Sequence, residues 1–297
     1  MSAQAPRVLL FGASGQIGRC VLARLVRQGG RVVALSRHAQ PPSPGVEWRT
    51  GALPDAVGAA GDFDAILSCG PLDLFSHWYA RSPTGAARVV AFGSTSVHVK
   101  GTSPDPAERE LAARLHDAEA RLADAAAARG VAATLLRPTL VYGAGSDRNL
   151  SRIAALARRH GYFVLPRDAC GLRQPVHVGD LAAAALAALA REDGGFHSYD
   201  LPGGETLAYR EMVARVLAAL RPPARLLLLP GALFSLAAGA ARRLGVHDAG
   251  AAVLARMRQD LAFDDSAARR DLDYAPRPFH PSAEMFSPPP DTAEHGL

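Results

Sequence analysis

Three evenly spaced glycines, Gly12, Gly15 and Gly18 in "RVLLFGASGQIGR", stand between an apolar run that reads as a strand and an amphipathic run that reads as a helix. A strand that passes into a helix through glycine leaves main-chain N–H groups uncovered at a helix N-terminus, where the helix dipole favours negative charge. Gly12 permits the tight turn, Gly15 lets the backbone approach a pyrophosphate, and Gly18 allows the helix to pack closely on the strand. The segment Gly12, Ala13, Ser14, Gly15, Gln16, Ile17 and Gly18 is therefore read as a dinucleotide-binding loop.

The next apolar run ends "VVALSRH", placing Ser36, Arg37 and His38 where an acidic residue would accept hydrogen bonds from the adenosine ribose of NAD. A carboxylate there repels a 2′-phosphate, whereas a guanidinium binds it through two parallel hydrogen bonds. NADP is thus expected over NAD. Arg19, one residue past Gly18, either adds to that phosphate pocket or is solvated surface.

Strand-like and helix-like segments alternate from there. The reading gives strands at Arg7 to Phe11, from Arg31, at Val46, ending at Cys69, ending at Ser94 and ending at Pro138, with helices over 16–28 and 105–129. Uninterrupted apolar runs separated by helices are what a parallel sheet buried on both faces requires, so the expected class is α/β, a doubly wound parallel sheet. A further strand and helix follow in "QPVHVGDLAAAALAALA", with His177 packed and Asp180 as helix cap. The apolar stretch Leu226 to Ala241, broken by Pro230 and Gly231, falls short of a membrane span and reads as a buried helix.

Composition narrows the function classes. The net charge is +5, but the basic residues are scattered and only Lys100 is a lysine, so nucleic-acid binding is not expected. Cys20, Cys69 and Cys170 lie far apart without metal-ligand spacing, which fits a reduced compartment and no metal. The chain enters a strand at once, without the zones of a signal peptide, and a cytoplasmic protein without a transmembrane segment is expected.

Beyond the glycine loop, "GSTSVH" from Gly93, "LLRPTLVYG" from Leu135, "QPVHVGDLAAA" from Gln174, "YDLPGGETLAYREM" from Tyr199 and "FDDSAARRDLDYAPRP" from Phe263 follow in order. With these motifs the chain resembles the short-chain dehydrogenase/reductase superfamily, in its extended and atypical branches that include the epimerase/dehydratase proteins. The resemblance implies a Rossmann domain carrying NADP over 1–138 and about 174–196, a smaller α/β substrate domain over 139–173 and 197–280, and a Pro-rich tail over 281–297. It also implies that Cys69, Gly70 and Pro71 lie against the cofactor and that Pro138 and Thr139 run beside the nicotinamide.

Active members of that family use a Tyr-x-x-x-Lys pair with a serine or threonine. Ser94 matches the hydroxyl, but Ser96 stands four residues before the sole lysine, so the pair is absent, and Leu111 and Leu115 occupy the matching helix positions. His98 and Tyr142 are the candidates for proton transfer with Ser94, and a loop residue is the alternative reading of His98. Trp78, Tyr79, Tyr162 and Phe163 are either pocket aromatics or core. Arg148, Arg152, Arg158 and Arg159 either mark an anionic substrate or are surface.

Three functions are compatible with the residues. The first is an NADP-dependent reductase or dehydrogenase acting on a small carbonyl or hydroxyl substrate. The second is a catalytically inactive NADP-binding sensor or regulator, and the third a structural or assembly subunit. A homodimer or a protein partner is compatible with any of them.

Overall fold

The computed structural model describes residues 6–56, 59–147, 149–234, 236 and 251–287. Strands β1 (Arg7–Phe11), β2 (Arg31–Ser36), β3 (Val46–Thr50), β4 (Asp62–Ser68), β5 (Gly85–Phe92) and β6 (Ala132–Pro138) alternate with helices. Those helices are α1 (Gln16–Arg27), α2 (Leu72–Arg81), α3 (Ser96–Val99) and α4 (Pro106–Arg129). After them come β7 (Val141–Tyr142), α5 (Leu150–His160), β8 (Tyr162–Pro166), β9 (Leu172–Arg173) and β10 (Val176–His177). Helix α6 (Val178–Ala190), β11 (Phe196–Leu201), β12 (Leu207–Ala208), α7 (Tyr209–Ala219) and β13 (Arg225–Leu229) follow. The last helices are α8 (Ala251–Arg258), α9 (Ser266–Leu272) and a 3-10 turn over Ala283–Phe286.

Two compact units arise from this order. The first comprises Met1–Pro138, Val178–Leu201 and Asp264–Ala275; the second comprises Thr139–His177, Pro202–Phe263 and Pro276–Leu297. In the first unit seven strands form one sheet in the order β11-β6-β5-β4-β1-β2-β3, every neighbour parallel. The order reverses beside β1, which makes this the doubly wound Rossmann arrangement, with its crevice at the carboxyl edge of the switch point. The units divide differently from the expected boundaries, with 197–201 and 264–275 in the first and 174–177 in the second. Strand β11 pairs along its whole length with β6, so 197–201 belongs to the main sheet, while Val176–His177 pairs with β7 in the second unit.

Local chemistry sets the element ends. Asp105 caps α4 by accepting a hydrogen bond from the Ala107 N–H at 3.0 Å, Pro106 follows it, and Gly130 closes the helix in the left-handed region at φ 64°. That is a strong start and a strong stop for a helix of 24 residues. Helix α6 begins at Val178, so Asp180 stands in its first turn, favourable to the dipole, rather than at its cap. Trp78 and Tyr79 are core: Trp78 packs 4.5 Å from the Phe11 ring, and Tyr79 stacks on Phe75 at 6.0 Å with the Arg129 guanidinium 4.4 Å from its ring centre.

The second unit pairs β10 with β7 and β13 with β8 in parallel, and β12 with β9 antiparallel. Its core gathers Tyr142, Leu150, Leu165, Met212, Val216, Phe279 and Phe286. The stretch from Leu226 divides at Pro230 in place of the expected single buried helix: its leucines form a strand, and 231–234 is helical with Leu233 exposed. Pro222 and Pro223 before the leucines and Pro230 after them leave room only for a short element, β13, with Leu227 and Leu228 exposed. Residues 237–241 lie outside the described residues. The start of the Pro-rich tail is anchored, because Phe286 is buried and Arg158 donates to the Phe286 and Ala283 carbonyls, each at 2.9 Å. Among the described residues no helix is long and apolar enough to cross a membrane.

Candidate functional site

The glycine loop is built by close approach of main chain to main chain. Gly12 has φ +68°, and a Cβ on it would meet the Cys69 carbonyl carbon at 2.8 Å and the Gly70 nitrogen at 2.9 Å. A Cβ on Gly18 would lie 2.0 Å from the Gly12 carbonyl oxygen. Helix α1 therefore sits directly against the turn that leaves β1, and the Gly15 N–H donates to the Gly12 carbonyl at 2.9 Å.

What this turn presents is an uncapped helix end. Gly15 is the N-cap of α1, no side chain caps the helix, and its first turn contains no acidic residue. The first N–H groups of a helix have no intrahelical acceptor, so an anion is the natural occupant of such an end. Ser14 and Gly15 are exposed, Ala13, Ile17 and Gly18 are buried, and the Gln16 Oε1 atom is buried with no hydrogen-bond partner. These features fit the diphosphate of a dinucleotide.

At the end of β2, Ser36 is buried and its hydroxyl accepts from the Gln40 amide at 3.2 Å and the His38 N–H at 3.4 Å. That hydroxyl is engaged in holding the turn. Arg37 and His38 are exposed, and the Arg37 side chain makes no hydrogen bond or ion pair among the described residues. Cys69 follows β4 against Gly12, and burial pushes its thiol well above the ordinary range, with Cys20 reinforcing the shift. A thiol so disfavoured as thiolate is not a nucleophile. Gly70 and Pro71 follow it directly and lead into α2.

Ser94 follows β5 at the carboxyl edge of the sheet, and its hydroxyl accepts from the Ser96 N–H at 3.2 Å. The adjoining turn is fastened twice. Thr95 donates to the Pro138 carbonyl through its N–H and its hydroxyl, both at 3.3 Å, and Lys100 pairs with Glu108 at 3.6 Å. The sole lysine is therefore committed to an ion pair on the first turn of α4. Leu111 and Leu115 are half-buried on that helix, and Leu115 packs against the main core.

Beside Ser94 runs a polar network that the sequence reading missed. The His98 Nε2 lies 3.0 Å from Asp200 Oδ1 on β11, and Arg137 on β6 lies 3.6 Å from the same oxygen. Arg137 in turn holds Glu119 on α4 through two parallel hydrogen bonds of 2.9 and 2.7 Å, and donates to the Ser198 hydroxyl at 3.1 Å. Burial alone would lower the Arg137 pKa, but the hydrogen bonds and charge of Glu119, with Asp200, hold it above its ordinary value. Asp200 was legible only through register: it is the residue opposite Arg137 across the β6–β11 pair.

Tyr142 does not have the surroundings of a proton donor. It is fully buried in the second unit's core, edge-on to Phe279 at 4.9 Å and to His177 at 5.2 Å. Tyr142→Ala should cost about 3–5 kcal/mol by the usual penalty for emptying an aromatic site, read from denaturant midpoints. Tyr142→Phe should leave turnover within about threefold; a loss of about a hundredfold, the scale of a lost general acid, would return Tyr142 to the chemistry. Thr139, also in the second unit, donates its hydroxyl to the Gln174 carbonyl. Tyr162 is exposed and Phe163 packs against that unit's core; Arg158 anchors the tail, and Arg148 lies outside the described residues.

The sheet order and the loop at its switch point define a Rossmann-type protein. Residues 69–201 match the family model described as NAD dependent epimerase/dehydratase family. A 2-alkyl-3-oxoalkanoate reductase of Stenotrophomonas maltophilia is 26% identical over 254 residues, 73% of this chain and 76% of that protein. A dTDP-4-dehydro-6-deoxy-D-allose reductase of a Streptomyces species is 30% identical over 210 residues, 68% of this chain and 58% of that protein. Among solved structures, MoeE5 in complex with UDP-glucuronic acid and NAD superposes with a TM-score of 0.69 at 19% identity, covering 94% of this chain and 96% of that one.

Proposed function

We propose that this protein is an NADP-dependent reductase or dehydrogenase acting on a small carbonyl or hydroxyl compound, with Ser94 and His98 at the reacting oxygen. The observation that carries the reading is the uncapped, acid-free N-terminus of α1 behind a turn where no Cβ fits at Gly12 or Gly18. When bound, the dinucleotide supplies or accepts the hydride. The α1 N-terminus and Gly15 hold its diphosphate, and Arg37, with no carboxylate beside it in the turn, holds the 2′-phosphate. Ser94 orients the substrate oxygen by hydrogen bonding, and His98 exchanges the proton that the missing tyrosine would have carried. Two relatives named as reductases support this class of reaction.

A second reading, a dinucleotide-binding sensor or assembly subunit without turnover, is favoured by one observation: Lys100, the sole lysine, is paired with Glu108. Titration of the protein with NADPH, followed by nicotinamide fluorescence, and addition of aldehydes, ketones and enones separates the two. Consumption of NADPH that Ser94→Ala slows by about 10–100-fold supports the reductase. Tight binding with NADPH left reduced throughout the panel supports the sensor.

A further inference from the structure

Resting on the reductase reading, we infer that Asp200 is a positioning residue that fixes the tautomer of His98, so that the proton is exchanged with substrate through Nδ1. An ionised carboxylate only accepts hydrogen bonds, so the 3.0 Å contact from His98 Nε2 to Asp200 Oδ1 requires the proton on Nε2. The other ring nitrogen is then the one whose protonation changes during reaction. The arrangement is the general one in which a carboxylate orients an imidazole that works at its opposite nitrogen.

The surroundings keep Asp200 available for that task. Arg137 lies between two carboxylates, but its bidentate pair is with Glu119, at 2.9 and 2.7 Å, while Asp200 stands 3.6 Å away. Glu119, Arg137 and Asp200 together carry one surplus negative charge, and it falls at the imidazole N–H. Rigidity comes from the frame: α3 is tied to the end of β6 through Thr95, and Asp200 lies within the β6–β11 ladder opposite Arg137. The His98 side chain is 40% exposed and Asp200 20%, which leaves the ring reachable.

The proton balance is simple. In the reducing direction the substrate oxygen takes the Nδ1 proton of the imidazolium and the N–H bonding pair stays on the ring. The C=O π pair becomes the new O–H bond as the carbonyl carbon receives the hydride of the reduced dinucleotide. In the oxidising direction the neutral Nδ1 lone pair takes the hydroxyl proton.

The test reads the ring directly as well as through activity. In the nucleotide-free protein, side-chain nitrogen NMR of neutral His98 should show the Nε2–H tautomer, and Asp200→Asn should give a mixture of both. With NADPH and a reactive carbonyl, Asp200→Asn should lower kcat by about 10–100-fold with KM and NADPH affinity held within about twofold, and Asp200→Glu should recover part of the loss. Tautomer ratios and kcat unchanged in a folded Asp200→Asn protein would overturn the inference and leave the reductase reading standing. Wild-type protein that binds NADPH but consumes none with any carbonyl would overturn the reductase reading, and this inference with it.

Discussion

Gly18→Ala is expected to lose dinucleotide binding and a large part of the first unit's stability together. The added Cβ would sit 2.0 Å from the Gly12 carbonyl oxygen, 2.8 Å from its carbon and 2.9 Å from the Ala13 Cα. All three are main-chain atoms, so no side-chain rotation relieves the contact. Either α1 withdraws from the sheet or the turn after β1 opens, and overpacking of this kind costs about 1–3 kcal/mol. An opened turn also breaks the hydrogen bond from the Gly15 N–H to the Gly12 carbonyl, which sets the direction of the α1 N-terminus. NADPH affinity should fall by about a hundredfold or more, read by nicotinamide fluorescence, alongside a lower denaturant midpoint.

Gly15→Ala separates the two effects. Its Cβ meets only the Gly12 carbonyl oxygen, at 3.1 Å, and Gly15 has an ordinary backbone conformation. Stability should change by less than about 1 kcal/mol while nucleotide affinity still drops, because the exposed face of the turn is where a diphosphate would approach. Gly18→Ala protein that melts and binds like wild type would contradict the packing account of the loop.

Arg37→Glu should reverse the nucleotide preference. The Arg37 side chain is exposed, has no partner among the described residues, and follows the buried end of β2. Two charge-assisted hydrogen bonds to a 2′-phosphate and the repulsion introduced by the new carboxylate together predict a loss of NADPH affinity of about a hundredfold. The same carboxylate can accept from a ribose 2′-hydroxyl, so NADH affinity should stay within about threefold or improve. Equal losses for both nucleotides would show that Arg37 does not contact the 2′-phosphate. Because the side chain is on the surface, stability should move by less than about 0.5 kcal/mol, which separates this result from misfolding.

The main sheet and its loop were legible in the sequence because each rests on short-range pattern. Apolar runs between amphipathic helices announced parallel strands, and the alanine-rich run over 105–129 announced α4. The leucines of β13 misled because four apolar residues in a row fit either a buried helix or a strand, and the flanking prolines decided for the shorter element. Trp78, Tyr79 and Tyr142 have the composition of pocket residues, yet only packing distinguishes a pocket aromatic from a core one. Asp200 carried no local signal at all. It is 102 residues from His98 along the chain, and only the addition of β11 beside β6 brings the two together.

On the reading proposed above, a chain without the Tyr-x-x-x-Lys pair still supports hydride transfer, with Ser94 and His98 handling the substrate oxygen. NADPH carrying deuterium at both nicotinamide C4 positions, incubated with the protein and a reactive carbonyl, is the decisive reagent. Deuterium is expected on the carbinol carbon of the product, at a rate that His98→Phe lowers by about 10–100-fold. Deuterium remaining entirely on the bound nicotinamide with every carbonyl offered would contradict that reading and leave a protein that holds a dinucleotide without using it.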